Sequence, residues 1–267
     1  MHYLDEGEGR AVLMVHGNPT WSFFYRRLVA AMSGGRRCVV PDHLGCGLSD
    51  KPQDYPYRLS DHIGNLEHLV DHLNLDRFDL IVHDWGGPIG LAVAEKMADR
   101  VGRLVIFNTA AFRSQQMPPS IRIARFPVLG SVLIRGCNAF SRGAVRSAVC
   151  RPLRAEVAAG FLYPYRNWND RVAVNGFIKD IPLSPRHPSY DTLLRIEERL
   201  PVLAGIPTLI AWGMQDFVFT KHFLEAWAHH IPNAQVHRFE SAGHYLLEDA
   251  GDEILPLVKD FLDKDQN

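Results

Sequence analysis

Short aliphatic and β-branched runs, each closed by turn-forming residues, recur at 11–15, 37–40, 78–83, 104–107, 208–212 and 235–239. Continuous apolar runs of this length predict strands buried on both faces. Between them apolar positions fall at helical spacing, at 59, 63, 66, 69, 70 and 73 in the segment 59–73, with further helical patterns over 88–98 and 221–230. Strand and helix in alternation predict an α/β fold, a doubly wound and mostly parallel sheet.

The rhythm stops between 113 and 187, where the pattern turns helical and proline-punctuated before strand signals resume at 208. A sheet that draws strands from both sides of this stretch predicts one core, 1–112 with 188–267, carrying an inserted helical cap, 113–187. There is no internal repeat or low-complexity tract.

Composition narrows the class. The chain has 267 residues, 46% hydrophobic and 22% charged, with a formal charge of −1, as in a globular protein and unlike a whole-surface nucleic-acid binder. Its cysteines, Cys38, Cys46, Cys137 and Cys150, form no C-x-x-C pair and read as reduced thiols. No apolar run approaches the roughly 18 residues of a membrane span, and the start lacks a signal-peptide layout. The expected location is the cytoplasm.

The chemistry concentrates after the third apolar run, at His83-Asp84-Trp85-Gly86-Gly87, ahead of the helix from Pro88. A strand, a sharp turn with small residues after its tip, then a helix is the nucleophile elbow of the α/β-hydrolase fold. The tip is Asp84, and no G-x-S-x-G occurs in the chain. A carboxylate is ionised without a base to activate it and can displace a leaving group from saturated carbon, forming an alkyl-enzyme ester. Hydrolysing that ester needs a general base and an oxyanion hole. His244, in the loop Ser241-Ala242-Gly243-His244-Tyr245 after the last strand, is the candidate base. Asp216, closing the strand 208–212, is placed to orient it. Upstream, Asn18 in His16-Gly17-Asn18-Pro19 supplies the second oxyanion N–H beside that of Trp85. The Asn18 amide and Trp85 indole N–H are also neutral donors suited to a departing halide.

With these motifs the chain resembles the haloalkane dehalogenase group of α/β-hydrolases: H-G-N-P-T at 16–20, P-D-H-L-G-C-G-L-S-D-K-P at 41–52, H-D-W-G-G at 83–87, W-G-M-Q-D at 212–216 and A-G-H-Y at 242–245. The resemblance implies Asp84 as nucleophile, His244 as base, Asp216 as triad acid, and Asn18 with Trp85 as leaving-group holders, with no metal or organic cofactor. Part of that group carries a Glu as triad acid near the end of the sixth strand, where this chain has Phe107-Asn108-Thr109. Its members usually begin with a strand ahead of the H-Y-L-D-E-G stretch, which opens here at residue 2, so a truncated or misassigned start, with an edge of the sheet missing, is the expectation. R-G-C-N-A-F-S-R-G-A at 135–144 and Y-P-Y-R-N-W at 163–168, with the Cys46 loop, are similar to the β-lactone decarboxylases of long-chain olefin biosynthesis, which share the Asp, His, Asp, Asn and Trp set.

The leading expectation is therefore hydrolysis of a haloalkane to alcohol and halide. Decarboxylation of a β-lactone to an alkene stands second and epoxide opening, with Tyr163, Tyr165 or Tyr190 as acid, third; an inactive ligand-binding relative is the non-enzymatic reading. The expected partner is a small apolar electrophile. Phe126, Phe140, Phe161, Tyr163, Tyr165 and Trp168 are candidates for an apolar tunnel, with simple packing as the alternative. His62, His68 and His72 read as a solvated helix face rather than metal ligands, His229 and His230 as helix C-terminal dipole partners, and His83 as structural.

Residues 113–171 hold ten Arg, no Lys and only Glu156 and Asp170 as acids, a charge of +8 within a near-neutral chain. Either these arginines pair with carboxylates of the core, or apolar and basic stretches such as 121–135 meet an anionic membrane or acidic partner.

Overall fold

The computed structural model describes residues 1–264. Seven strands, β1 (Tyr3–Glu6), β2 (Ala11–Val15), β3 (Arg37–Pro41), β4 (Phe78–Val82), β5 (Val101–Ile106), β6 (Thr208–Gly213) and β7 (Gln235–Phe239), form one sheet in the order β1-β3-β2-β4-β5-β6-β7. All neighbours are parallel except β1, which runs antiparallel to β3 with Tyr3 opposite Pro41. The end strand β1 lies in the H-Y-L-D-E-G stretch, where Asp5 and Glu6 are exposed and no apolar run marks it. β5 starts ahead of its apolar run because Gly102 and Arg103 interrupt the pattern, the Arg103 guanidinium lying over the Phe261 ring.

Alternate strand residues feed two cores. Leu13, Val15, Leu80 and Val82 pack with α2 (Leu59–His72), α3 (Gly86–Lys96), α9 (Tyr190–Arg199) and α10 (Lys221–His230). Val12, Met14 and Ile81 pack on the opposite face with α1 (Arg26–Met32), α11 (Leu246–Asp249) and α12 (Gly251–Asp263). Between β5 and α9 the chain forms α4 (Pro119–Ala124), α5 (Pro127–Ser131), α6 (Ala139–Ser147), α7 (Ala155–Leu162) and α8 (Val172–Lys179). This insertion has its own apolar cluster of Ile121, Ala124, Ile134, Tyr165, Val174 and Ile178. At its end, buried Asp180 accepts the Leu59 N–H at the start of α2 and the Ser189 hydroxyl.

One histidine reading changes and a second is qualified. His62 is fully buried, stacked on Phe177 at 4.3 Å, so it is no part of a solvated face. Exposed His68 turns back to the Gly64 carbonyl. His230, in the last turn of α10, is half-buried against Phe112 at 5.0 Å, and burial pulls its pKa below the ordinary imidazole value, which works against a charged dipole role.

Candidate active site

The turn after β4 puts Asp84 in the left-handed region, with φ at 51°. This conformation costs a non-glycine residue about 1 kcal/mol and needs support from its surroundings. The Asp84 N–H donates to the Asn108 carbonyl, and the Thr109 hydroxyl donates to the Asp84 carbonyl. Gly86 lets the following helix approach β2, since a Cβ there would overlap the Val15 carbonyl. The N-terminus of α3 thus faces the Asp84 carboxylate, and the neighbouring Trp85 N–H favours its charged form.

From the other side, the Asn18 N–H donates to Asp84 Oδ1 at 2.6 Å. Gly17 is required for this approach, because a Cβ at that position would collide with the Asp84 carboxylate. Asp84 Oδ2 faces His244 Nε2 at 3.8 Å, and His244 Nδ1 meets Asp216 Oδ2 at 2.8 Å. Asp216 Oδ1 accepts the N–H groups of Val218 and Phe219, at 2.7 and 3.1 Å, which fixes the carboxylate toward the ring. His83 points away from the site and bonds through Nε2 to the His244 carbonyl at 2.9 Å, its ring 4.5 Å from that of His244. Asn108, at the β5 position where some relatives place an acid, instead bonds both the N–H and the carbonyl of Gly213.

All three ionisable side chains are buried. Burial raises the Asp84 pKa, against the opposing pull of His244 and the N–H groups of Asn18 and Trp85. For His244 burial acts to lower the pKa, but Asp216 and Asp84 together outweigh it and raise it. Burial thus works against the charge of Asp84, while the two carboxylates beside His244 favour a proton on it.

Asn18 and Trp85 both face a cavity of about 360 Å³ with Asp84 and His244 at its floor. The Asn18 amide gives one N–H to the Val174 carbonyl at 3.3 Å, and its buried Oδ1 lacks a partner among the described residues. The Trp85 ring rests against Phe177 at 5.1 Å. The rest of the wall is mostly apolar, with Phe112, Met117, Ile178 and Phe219 prominent.

Of the aromatic residues expected to line a tunnel, only Phe140 does. Phe126, Tyr163 and Trp168 are exposed, while Phe161 and Tyr165 are packed inside. No tyrosine lines the cavity among the described residues. The Tyr165 hydroxyl bonds to the Thr20 carbonyl and that of Tyr190 accepts from Arg113, so the acid an epoxide would require is missing from the cavity wall. The stretch 135–144 gives Ala139, Phe140, Gly143 and Ala144 to the cavity wall, and together with 163–168 it ties the insertion together: Arg171 donates to the carbonyls of Tyr165, Arg135 and Gly136, and Asn138 to that of Tyr165.

Comparison with known proteins bears on the fold and the family. The alpha/beta hydrolase fold family matches residues 10–251. A cis-3-alkyl-4-alkyloxetan-2-one decarboxylase of Shewanella oneidensis is 48% identical over 98% of this chain and 85% of its own. The enzyme of the same name from Xanthomonas campestris is 43% identical over 99% and 92%. Haloalkane dehalogenase 2 of Mycobacterium tuberculosis is 34% identical over 97% and 90%. Among solved structures, an ancestral haloalkane dehalogenase superposes with a TM-score of 0.89 at 26% identity, covering 98% of this chain and 94% of its own. The sequence reading that put dehalogenation first is thereby reordered, the oxetanone (β-lactone) decarboxylases standing ahead by identity. The chain belongs to the α/β-hydrolase fold family, on the branch shared by cis-β-lactone decarboxylases and haloalkane dehalogenases.

Proposed function

We propose that this protein is a decarboxylase of cis-3,4-dialkyl β-lactones, with Asp84 as a covalent nucleophile. The observation that carries the reading is the near-full-length identity of 48% to a decarboxylase of such lactones. The apolar cavity over Asp84 suits a substrate whose only polar part is the ring.

The geometry supports the following course. Asp84 Oδ2 attacks ring carbon C4 and breaks its bond to the ring oxygen, which leaves as one oxygen of a carboxylate on C3. The Asn18 amide and Trp85 indole N–H stabilise that carboxylate, the role a halide would take in a dehalogenase. The C3 carboxylate then departs as carbon dioxide, its electron pair forms the C3–C4 double bond, and the C4–O bond to Asp84 breaks. Atoms and charge balance without water or proton transfer. The returning charge on Asp84 is met by the N–H groups of Asn18 and Trp85 and by protonated His244, which Asp216 holds in place. Inversion at C4 followed by anti departure gives the cis alkene from the cis lactone.

Paired assays test the proposal. Purified protein given a cis-3,4-dialkyl β-lactone is expected to release carbon dioxide and the cis alkene, measured by gas chromatography with mass detection. Halide release from 1-bromobutane or 1,2-dibromoethane, with the lactone left intact, would overturn it in favour of dehalogenation.

A further inference from the structure

The insertion carries a surface feature that the reaction does not use. Along α4, α5 and the turn Val132–Gly136, the large apolar side chains of Ile123, Phe126, Val128, Leu129 and Val132 are exposed, Val128 at 77%. The same segment turns Ile121, Ala124, Leu133 and Ile134 inward as cavity wall. Ser120 and Ile123 belong both to that wall and to the exposed surface, so the outer apolar face and the cavity meet there.

The charge around this face has one sign. Residues 113–155 contain eight Arg and no carboxylate. The expectation that the insertion's arginines pair with carboxylates of the core is met at Arg113, which bonds Glu197. Arg154 pairs locally with Glu156, while Arg125 and Arg135 donate to backbone carbonyls. Exposed Arg122, Arg142 and Arg146 have no carboxylate partner among the described residues, and α6, which carries the last two, packs on the turn Val132–Gly136.

We propose that the outer face of α4, α5 and the turn Val132–Gly136 docks on an anionic lipid bilayer, with Phe126, Val128 and Leu129 entering the interface and Arg122, Arg142 and Arg146 meeting lipid phosphates. Exposed apolar side chains beside unpaired cations are the two components of interfacial binding. A second copy of the chain is disfavoured, because it would set two arginine-rich faces against each other. The bilayer also dissolves apolar molecules of the kind the cavity accepts, so docking would let such a molecule pass from lipid to cavity along Ile123. The inference rests only on the ligand being apolar, whichever electrophile Asp84 opens.

The test is cosedimentation of the full chain with vesicles of mixed phosphatidylglycerol and phosphatidylcholine, and with phosphatidylcholine alone, at low and high salt. Binding is expected to the anionic vesicles at low salt, and to weaken with salt and without phosphatidylglycerol. Val128→Asp with Leu129→Asp should weaken it at least tenfold, on the order of one lost apolar anchor. Arg122→Gln with Arg142→Gln and Arg146→Gln should weaken it roughly 100-fold, at about fivefold per arginine. Circular dichroism and turnover of a short-chain, freely soluble substrate should stay unchanged in both variants. Absence of binding at low salt, or binding that the aspartates leave intact, would overturn the proposal. So would a dimer that Val128→Asp dissociates, or binding to polyglutamate by a protein that ignores vesicles.

Discussion

The backbone N–H of Asn18 meets Oδ1 of Asp84 at 2.6 Å, so the loop after β2 occupies one oxygen of the proposed nucleophile and leaves Oδ2 to react. Replacing the Asn18 side chain does not touch this backbone bond. Asn18→Ala should therefore keep Asp84 in place and lose only the donor to the departing carboxylate, lowering kcat about 100-fold with little change in KM. Steady-state kinetics on a β-lactone check this, and an equal loss in kcat for Asn18→Gly and Asn18→Ala would exclude backbone effects.

Gly17→Ala acts on the other component. Its Cβ would displace the Asp84 carboxylate from the Asn18 N–H, and activity is expected to fall more than about 100-fold while circular dichroism retains the folded spectrum. Retained activity would mean that the contact between the two loops is dispensable.

The pH profile distinguishes the two chemistries. Burial raises the pKa of Asp84, and for His244 the carboxylates of Asp216 and Asp84 more than offset burial and raise it above the usual imidazole value. Lactone opening needs Asp84 ionised and gains from a charged His244. Its kcat/KM should rise with pH through the Asp84 pKa and fall as pH climbs through that of His244. Ester hydrolysis needs neutral His244 and would rise through the same pKa. A rising limb there, with a lactone substrate, would refute the elimination.

His244→Ala separates them a second way. With a lactone the variant should be slowed about 100-fold, and any alkyl ester that collects should still decay to the alkene, since its collapse needs no base. With a haloalkane an ester that needs water should persist as added mass on the intact protein.

Asp84→Asn should abolish turnover by about 10⁴-fold or more and raise Tm. The raised pKa means that burying the Asp84 charge costs stability at pH values above it, and asparagine tolerates the left-handed backbone at this position. Thermal unfolding followed from acid to alkaline pH checks the sign: the gain in Tm should grow as wild-type Asp84 ionises.

Much of this was legible in the sequence because the sheet's central strands are buried on both faces and announce themselves as apolar runs. Asp84, His244 and Asp216 follow strand ends, and a strand end fixes position. β1 was not legible, since half of it faces solvent and its pairing with β3 is backbone to backbone. Nor was the burial of His62, whose place depends on Phe177 far along the chain. The cavity wall was least legible: Phe126 and Phe140 look alike in sequence, yet one is on the surface and the other lines the cavity, because the turns of the insertion decide which way each faces.

The division of labour between the two oxygens of Asp84 leaves an isotopic memory. If the alkyl bond forms and breaks at Oδ2, the side chain ends each cycle with the oxygens it began with, however many lactones it has opened. Hydrolysis of the same ester would pass Oδ2 to the product alcohol and take a replacement from solvent. Turnover in ¹⁸O-water thus writes the reaction's history into one residue: an unlabelled Asp84 after many cycles marks elimination, and a heavy one marks water's attack.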